Sequence, residues 1–216
     1  MAQVTSVNVV HAVRPDAHSG AGRTAIDKRA VTGGVAVGAQ GLAGDRQMDV
    51  EHHGGRDKAV YGYAGEDVAW WAAELGRDLR PGQFGENLTT SGLDVTGALV
   101  GERWRIGGPD GVVVEVTQPR IPCATFKDWM GEARWVRRFT EHGAPGAYLR
   151  VVVEGTVTAG DGIEVVHRPG HGVSIGACFV DLGPDVGRRL LDAAATGRLD
   201  LADSLRAYAE RAVARA

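Results

Sequence analysis

Residues 99–123 read LVGERWRIGGPDGVVVEVTQPRIPC and combine two apolar runs, a glycine-rich turn and a single thiol. The runs Leu99–Ile106 and Val112–Thr117 are rich in β-branched residues, which favour extended strands. The turn sequence Gly-Gly-Pro-Asp-Gly lies between them, so the stretch predicts a β-hairpin. The second strand ends at two prolines, and Cys123 follows them at the start of the next predicted helix.

Short strand patterns lie on both sides of this hairpin. Glycine accounts for 32 of the 216 residues. Glycine is costly inside helices and strands because it loses the most backbone freedom on folding, so this composition favours a strand-and-loop body over a helical bundle. The other predicted strands are Gln3–Ala12, 31–39, Leu88–Thr90, Tyr148–Val153 and Ile163–Val166.

Apolar residues recur at helical spacing over residues 64–79 and 124–139, which predicts two amphipathic helices. Two more are predicted near the C-terminus, at Pro184–Thr196 and Leu199–Ala214. Together with the apolar piece Val173–Val180 they would form a small three-helix appendage.

The composition changes at about residue 167, where the strand patterns stop and the helical ones begin. We therefore expect a mainly β fold with helices, divided into a strand-rich domain at residues 1–166 and a C-terminal helical appendage at residues 167–216.

Charge and cysteine usage exclude several classes of protein. Lys and Arg total 24 against 27 Asp and Glu, and a chain with a net charge of -3 has no broad positive field for nucleic acid. Met1–Val10 lacks the pattern of a signal peptide, and no apolar run approaches the roughly 20 residues of a membrane helix. Two cysteines are too few for a disulfide scaffold, so we expect a cytoplasmic protein.

Cys123 is the strongest candidate for chemistry. A helix N-terminus and a nearby cation, Arg120 or Lys127, both favour the thiolate over the thiol. A thiolate serves as a nucleophile or as a ligand to a soft metal. The alternative is a buried cysteine that acts as a small hydrophobe, and the apolar segment Ile175–Val180 favours that interpretation for Cys178.

The segment from residue 41 to 58 is polar and rich in glycine, and a loop of this length in a compact domain is usually functional or disordered. Glycines let backbone N–H groups approach an anion, and Arg and Lys supply charge, which suits a phosphate. A solvated loop with turn glycines fits the same residues. The pair His52-His53 does not predict a zinc site, because adjacent side chains rarely point the same way and no spaced third ligand is nearby.

A second polar pair lies in Phe84-Gly85-Glu86-Asn87-Leu88. Glu86 and Asn87 could offer acceptors and donors to a heterocycle. Asn87 could equally close a turn through its own backbone, so the motif alone leaves both interpretations open.

Taken in order, four segments of this sequence resemble the MOSC family, in particular its small bacterial YiiM-like members. The segments are Gly41-Leu42-x-Gly44-Asp45, His53-Gly54-Gly55-x-Asp57-Lys58-Ala59, Phe84-Gly85-Glu86-Asn87-Leu88 and Gln118-Pro119-Arg120-x-Pro122-Cys123. The strand-rich stretch to about residue 166 resembles the β-barrel body of the family. The C-terminal helices resemble a shortened form of its three-helix appendage.

The resemblance implies a β-barrel that binds the molybdenum–molybdopterin cofactor, with the metal held by the pterin dithiolene and a protein cysteine. By position that cysteine is Cys123, which would be the metal ligand and the catalytic residue. The proton donor would be Asp45, His53 or water. The implied cofactor contacts are Arg46, His53, Arg56 and Lys58 at the phosphate, Glu86 and Asn87 at the edge of the pterin, and Gln118 and Arg120 beside the metal.

The reaction implied by the resemblance is the two-electron reduction of N-hydroxylated compounds, such as N-hydroxylated purine bases, to the amine and water. No side chain supplies the electrons, so a redox cofactor must. Two cysteines cannot ligate an iron–sulfur cluster that usually needs four, and no flavin motif is present. We therefore expect a small-molecule substrate and a separate electron-donor reductase, with no nucleic acid or membrane partner. The terminal helices could pack on the body or on a second subunit, which leaves a homodimer open.

Two hypotheses without catalysis compete with this one. Cys123 could hold a persulfide or pass on bound cofactor as a carrier, since MOSC domains also occur in cofactor sulfurases. The chain could otherwise be a small-molecule binding domain with a structural cysteine. Absence of metal, together with slow alkylation of Cys123, would support the second hypothesis.

Overall fold

The computed structural model describes residues 1–48 and 54–215, which form two β-sheets and six α-helices. About 31% of the residues are in strands and about 28% in helices, so the expected mainly β fold with helices is confirmed. In the described part of the chain, every helix is too short or too polar to cross a lipid bilayer. The strands are β1 (Gln3–Pro15), β2 (Arg23–Ala30), β3 (Val35–Gly38), β4 (Gly41–Leu42), β5 (Val60–Ala64), β6 (Leu88–Ser91), β7 (Arg103–Ile106), β8 (Val112–Pro119), β9 (Ala147–Val153), β10 (Gly155–Val157) and β11 (Ile163–His167). The helices are α1 (Gly65–Leu75), α2 (Ala124–Met130), α3 (Trp135–His142), α4 (Ile175–Val180), α5 (Pro184–Ala195) and α6 (Asp203–Ala214), and a 3-10 turn covers Arg56–Lys58.

The larger sheet has eight strands in the order β11-β7-β8-β9-β5-β6-β1-β2, and the smaller has three in the order β10-β3-β4. Neighbouring strands are antiparallel except for the parallel pair of β5 and β6. Strand pairing does not close these sheets into the expected barrel in the described residues. The start of β1 instead meets the chain that leads into β11. Gln3 forms a bridge with Gly162, Val4 N donates to Asp161 O at 2.9 Å, and Ile163 N donates to Ala2 O at 2.9 Å.

Two strand registers bring distant parts of the sequence together. The β8–β9 register places Gln118 opposite Tyr148, so the segment that leads to Cys123 leaves the sheet beside Tyr148. The β5–β6 register places Gly62 opposite Leu88, which sets the 84–87 turn next to the start of β5. Residues from three separate sequence motifs therefore meet at one end of the larger sheet.

The helix predicted over residues 124–139 is two helices, α2 and α3. The reason is local, because Gly131 ends α2 in the left-handed region at φ 67° and Arg134 precedes α3 at φ 56°. The break lets both helices bury aromatic side chains in a single cluster. That cluster contains Tyr61, Tyr63, Val68, Trp71, Phe84, Phe126, Met130, Trp135 and Phe139.

The three predicted C-terminal helices are present as α4, α5 and α6. Their apolar faces are covered by the body of the protein, since Leu190 of α5 and Leu205 of α6 belong to the same buried cluster as Val114 of β8 and Leu149 of β9. The domain boundary expected near residue 167 stays a prediction.

Candidate functional site

A cavity opens at the end of the larger sheet where the registers bring the motifs together. Its walls come from β2, from the start of β5, from the 84–87 turn and from the exit of β8 into α2. The segment 46–48, Lys58, Tyr148 and two residues of the β1–β2 connection, Asp16 and Ser19, also line it. Every one of these regions is distant in sequence from at least two others, so the cavity is a product of the tertiary fold.

Cys123 lies in the wall of this cavity. It is the residue before α2, with an extended backbone at φ -122° and ψ 175°, and it is partly exposed to solvent. β8 ends at Pro119, which is paired with Ala147, and the chain then leaves the sheet through Pro122, which has no backbone N–H to continue the ladder. The thiol predicted to carry the chemistry therefore has access to a ligand.

Arg120 lies next to Cys123 and is buried, with 7% of its surface exposed. Its Nη1 donates to the Phe84 carbonyl oxygen at 2.8 Å, and its guanidinium carbon lies 3.6 Å from the centre of the Phe126 ring. Burial opposes the charge, but Tyr61, Tyr148 and Cys123 favour it and the pKa of Arg120 is raised. Among the described residues no carboxylate forms an ion pair with this guanidinium, so a fixed positive charge faces the thiol.

A second cation in the cavity wall, Lys28 of β2, forms an ion pair with a carboxylate of the same chain. Its Nζ lies 2.5 Å from Asp45 Oδ2, and burial lowers the pKa of the lysine against the attraction of that carboxylate. Asp45 also accepts bonds from the Val10 backbone N–H at 3.0 Å and from Asn87 Nδ2 at 2.8 Å. The carboxylate proposed as a proton donor is thus occupied with three internal partners.

Two tyrosines line the same cavity. The rings of Tyr61 and Tyr148 lie 5.3 Å apart, and the Tyr61 hydroxyl donates to the Pro145 carbonyl oxygen at 2.8 Å. Lys58 Nζ lies 5.9 Å from the centre of the Tyr148 ring. Burial raises the pKa of both phenols, so both remain protonated at neutral pH.

The structure brings five of the predicted residues to the cavity and places three elsewhere. Arg46, Lys58, Asn87, Arg120 and Cys123 all line it. Arg56 instead forms an exposed ion pair with Asp200 at 3.0 Å. The Gln118 side chain is buried and its Oε1 accepts from the Ser204 hydroxyl at 2.6 Å. His53, and its neighbour His52, lie outside the described residues.

Glu86 is the third predicted residue that the fold turns away from the cavity. Its carboxylate is fully buried and accepts bonds from the backbone N–H groups of Gly82 at 2.6 Å and Phe84 at 3.0 Å, and from the Thr89 hydroxyl at 2.9 Å. Burial raises the pKa of Glu86, against these hydrogen bonds. The geometry favours a structural role, in which Glu86 fixes the 82–89 turn, and its contact with a cofactor stays a prediction.

Asn87 lines the cavity, yet its amide is also used within the protein. Its Oδ1 accepts from the Tyr61 backbone N–H at 3.1 Å, and its Nδ2 donates to the Asn8 carbonyl oxygen and to Asp45. The amide therefore joins β5, β1 and the 43–46 turn. These contacts within the protein are closer to the structural interpretation of Asn87, in which it closes a turn, than to a role in binding a heterocycle.

Lys28, Tyr61 and Tyr148 are cavity residues that sequence reasoning missed. A lysine inside the β2 sequence RTAIDKRA was a weak signal, because a charged residue at an inward strand position is usually paired or functional. Nothing local distinguishes the tyrosines, since their position depends on pairing β5 with β9.

Comparison with known proteins agrees with this geometry. Residues 49–164 match the family model of the MOSC domain. The chain is 37% identical over 152 residues to the uncharacterized protein YflK of Bacillus subtilis, covering 70% of this chain and 67% of that one. It is 31% identical over 148 residues to YiiM of Escherichia coli, covering 67% and 65%. It is also 31% identical over 149 residues to a Gibberella moniliformis protein named Reductase, covering 68% of this chain but 26% of the fungal one.

Solved structures show the same architecture over nearly the full chain. YiiM from Geobacillus stearothermophilus superimposes with a TM-score of 0.78 at 26% identity, covering 99% of this chain and 100% of that one. YiiM from Escherichia coli gives a TM-score of 0.70 at 25% identity, covering 94% of each chain. The chain is therefore a YiiM-like member of the MOSC domain family.

Proposed function

We propose that this protein binds a molybdenum cofactor through Cys123 and reduces N-hydroxylated compounds. The observation that carries the proposal is the pairing of an accessible thiol with a buried guanidinium, Arg120, that has no carboxylate partner among the described residues. A buried cation without a counter-ion is costly, so a bound anion would be its natural partner. MOSC domains are generally associated with molybdenum-cofactor binding.

The donor set of the cavity fits such a cofactor. A thiolate is a soft ligand suited to a soft metal centre, and Cys123 is the only described cysteine in the wall. A pterin phosphate requires cations and backbone N–H groups, and Arg46 and Lys58 line the cavity beside a glycine-rich segment. Arg56 and Gln118 would support the wall from outside the lining.

Reduction of an N–O bond consumes two electrons and two protons and yields the amine and water. The bound molybdenum cofactor would supply the electron pair, which no side chain of the protein can provide. The fungal relative named Reductase supports this class of chemistry, although the match covers only 26% of that protein.

The side chains of the cavity would bind and orient the ligand. Arg120 would hold the Cys123 thiolate and any anionic group beside it, because its guanidinium is fixed by Phe84 and Phe126. Tyr148 would be a hydrogen-bond donor that the sequence did not reveal, since its protonated phenol lines the cavity. Asp45 would act through Lys28, whose ammonium group it positions.

The electrons must come from outside the chain, and we propose a separate reductase as their source. The two cysteines of the chain are fewer than the four that an iron–sulfur cluster usually needs. The location in the cytoplasm and the homodimer remain predictions, as does the absence of nucleic-acid and membrane partners.

The proposal is tested by turnover with a chemical reductant. Protein purified from a host that makes the cofactor is mixed with an N-hydroxylated purine base and sodium dithionite, and formation of the amine is followed by chromatography. We expect turnover in the wild type and in the control Cys178→Ala, and loss of turnover in Cys123→Ser. A metal-loaded wild type that leaves the substrate unchanged would favour the carrier hypothesis instead, and a fully active Cys123→Ser variant would exclude Cys123.

A further inference from the structure

Three arginines surround one buried carboxylate on the outer side of the cavity wall. The Asp27 side chain has no exposure to solvent, and it pairs with Arg14 Nη2 at 2.7 Å, Arg80 Nη2 at 2.9 Å and Arg29 Nε at 3.4 Å. Burial acts to raise the pKa of Asp27, but the arginines outweigh it and lower that pKa. One ionised carboxylate neutralises one guanidinium, so about two positive charges remain at this position.

These charges are presented to solvent. The side chains of Arg14 and Arg29 are 50% and 47% exposed, and that of Arg80 is 34% exposed. The guanidinium carbons of Arg14 and Arg80 lie 5.5 Å and 5.8 Å from the ring centre of the half-buried Trp129. We call Arg14, Arg29, Arg80 and Trp129 the basic patch. Within the described residues, Asp27 is the only carboxylate that forms ion pairs with its arginines.

The basic patch is a local exception in a chain with a net charge of -3. Residues 10–30, which contain two of its arginines, carry four Lys or Arg against two Asp. A structural role would require one arginine to neutralise Asp27, whereas additional like charges repel one another and destabilise the compact state. The surplus of positive charge therefore points to a negative partner.

The basic patch backs directly onto the candidate site. Lys28, which lies between Asp27 and Arg29 in β2, lines the cavity, and Arg80 Nη1 donates to its carbonyl oxygen. Trp129 follows Cys123 by six residues on α2, which is about 9 Å along the axis at 1.5 Å per residue. A molecule on the basic patch would be separated from the cavity by one strand and one short helix.

We propose that the basic patch docks an acidic electron-transfer protein that supplies the candidate site with electrons. The inference rests on the proposed function, which requires an external donor. Charge complementarity favours a donor with a negative face, since such a face steers association and fixes orientation. Each cleaved N–O bond would oxidise two single-electron carriers, and the two electrons with two protons from water would yield the amine and one water molecule.

The test uses a small acidic flavodoxin as the probe and compares two double variants. Arg14→Gln with Arg29→Gln removes two charges from the basic patch and leaves Arg80 to neutralise Asp27. The control, Arg137→Gln with Arg188→Gln, removes two exposed helix charges that pair with Glu141 and Asp185. Binding is measured by titration at low and at physiological salt, and electron transfer from photoreduced flavodoxin is measured by stopped flow.

We expect the patch variant to bind flavodoxin about tenfold more weakly than the wild type at low salt, with a flatter salt dependence. The control should bind as the wild type does, and turnover with dithionite should be equal in all three proteins. A patch variant with wild-type affinity and salt dependence would overturn the inference. Failure of the wild type to bind flavodoxin or to accept its electrons would overturn it as well.

A different result would contradict the proposed function: the metal-loaded wild type would show no turnover with dithionite. In that case the titration still decides whether the basic patch is a docking surface for acidic proteins.

Discussion

Two buried arginines of this protein lie in opposite electrostatic surroundings. Arg150 of β9, with 2% of its side chain exposed, pairs with Asp57 Oδ1 at 3.1 Å, with Glu115 Oε1 at 3.7 Å and with Asp200. Arg120 is almost as buried, yet among the described residues it has a carbonyl oxygen and aromatic rings as partners and no carboxylate.

This difference indicates that Arg150 has a structural role, whereas the charge of Arg120 is available to bind a ligand. We call Arg150, Asp57, Glu115 and Asp200 the Arg150 cluster. It joins the 3-10 turn that carries Lys58 to the sheet and to the α5–α6 connection, and the chain supplies all of its counter-ions. Arg120 faces the cavity with its charge uncompensated by the described chain, which is the arrangement expected of an anion-binding site.

The two cysteines extend this comparison and give the largest expected effect. Burial raises the pKa of Cys178 to about 12, so about one thiol in ten thousand is ionised at pH 8. Cys123 is accessible in the cavity. We expect iodoacetamide to modify Cys123 of the folded, cofactor-free protein at least about 100-fold faster than Cys178. Peptide mass spectrometry over time measures both rates, with urea-unfolded protein as the control, and equal rates in the folded protein would contradict this account.

Breaking the Arg150 cluster should strongly destabilise the protein. Arg150→Met removes a buried cation from three carboxylates, of which Glu115 keeps Arg103 at 2.7 Å and Asp200 keeps Arg56 at 3.0 Å. We expect a loss of about 3 kcal/mol in the free energy of unfolding. Urea denaturation followed by circular dichroism measures this loss. A loss below about 1 kcal/mol would show that the Arg150 cluster is not the structural charge centre described above.

The equivalent substitution at Arg120 should lower the free energy of unfolding far less than Arg150→Met does, and it should lower the cofactor content more. Arg120→Met removes one hydrogen bond to Phe84 but also a buried charge without a described carboxylate partner, and it keeps an apolar side chain against Phe126. We therefore expect a loss of at most about 1 kcal/mol in the free energy of unfolding. Cofactor content should fall severalfold because the anion loses its partner. Urea denaturation and elemental analysis measure the two effects. A loss of stability as large as that of Arg150→Met, with unchanged cofactor content, would reverse the assignment.

The smallest effect is expected at an exposed ion pair on α5. Asp185 pairs with Arg188 at 2.9 Å, and their side chains are 93% and 53% exposed. Because water and salt screen such pairs, Asp185→Asn should change the free energy of unfolding by less than about 0.5 kcal/mol. The same urea experiment provides this baseline, and a larger change would show that exposed charges cannot serve as controls for the buried ones.

The sequence predicted those parts of the fold that depend on local patterns. The hairpin of β7 and β8 and the three C-terminal helices are present, because their turns and apolar periodicity are encoded within short segments. The break between α2 and α3 was missed, since it depends on the left-handed conformations of Gly131 and Arg134. Whether the sheets close depends on pairing between strands that are far apart in the sequence, which no short pattern records; the expected barrel is not closed by strand pairing in the described residues.

The same distinction applies to the candidate site. Cys123, Arg120 and Lys58 were found from motifs and lie together at the cavity. The resemblance implies that Glu86 contacts the edge of the pterin, whereas in the structure three hydrogen bonds within its own turn occupy its carboxylate. Tyr148 was missed because it enters the cavity through the register between β8 and β9.

The central claim is that the cavity holds a molybdenum cofactor bound through Cys123, and metal content tests it most directly. Wild type, Cys123→Ala and Cys178→Ala are purified in parallel from a host proven to supply the cofactor, and molybdenum is measured by elemental analysis. We expect nearly stoichiometric molybdenum in the wild type and in Cys178→Ala, and little in Cys123→Ala. Absence of molybdenum from all three, or equal content in all three, would contradict it.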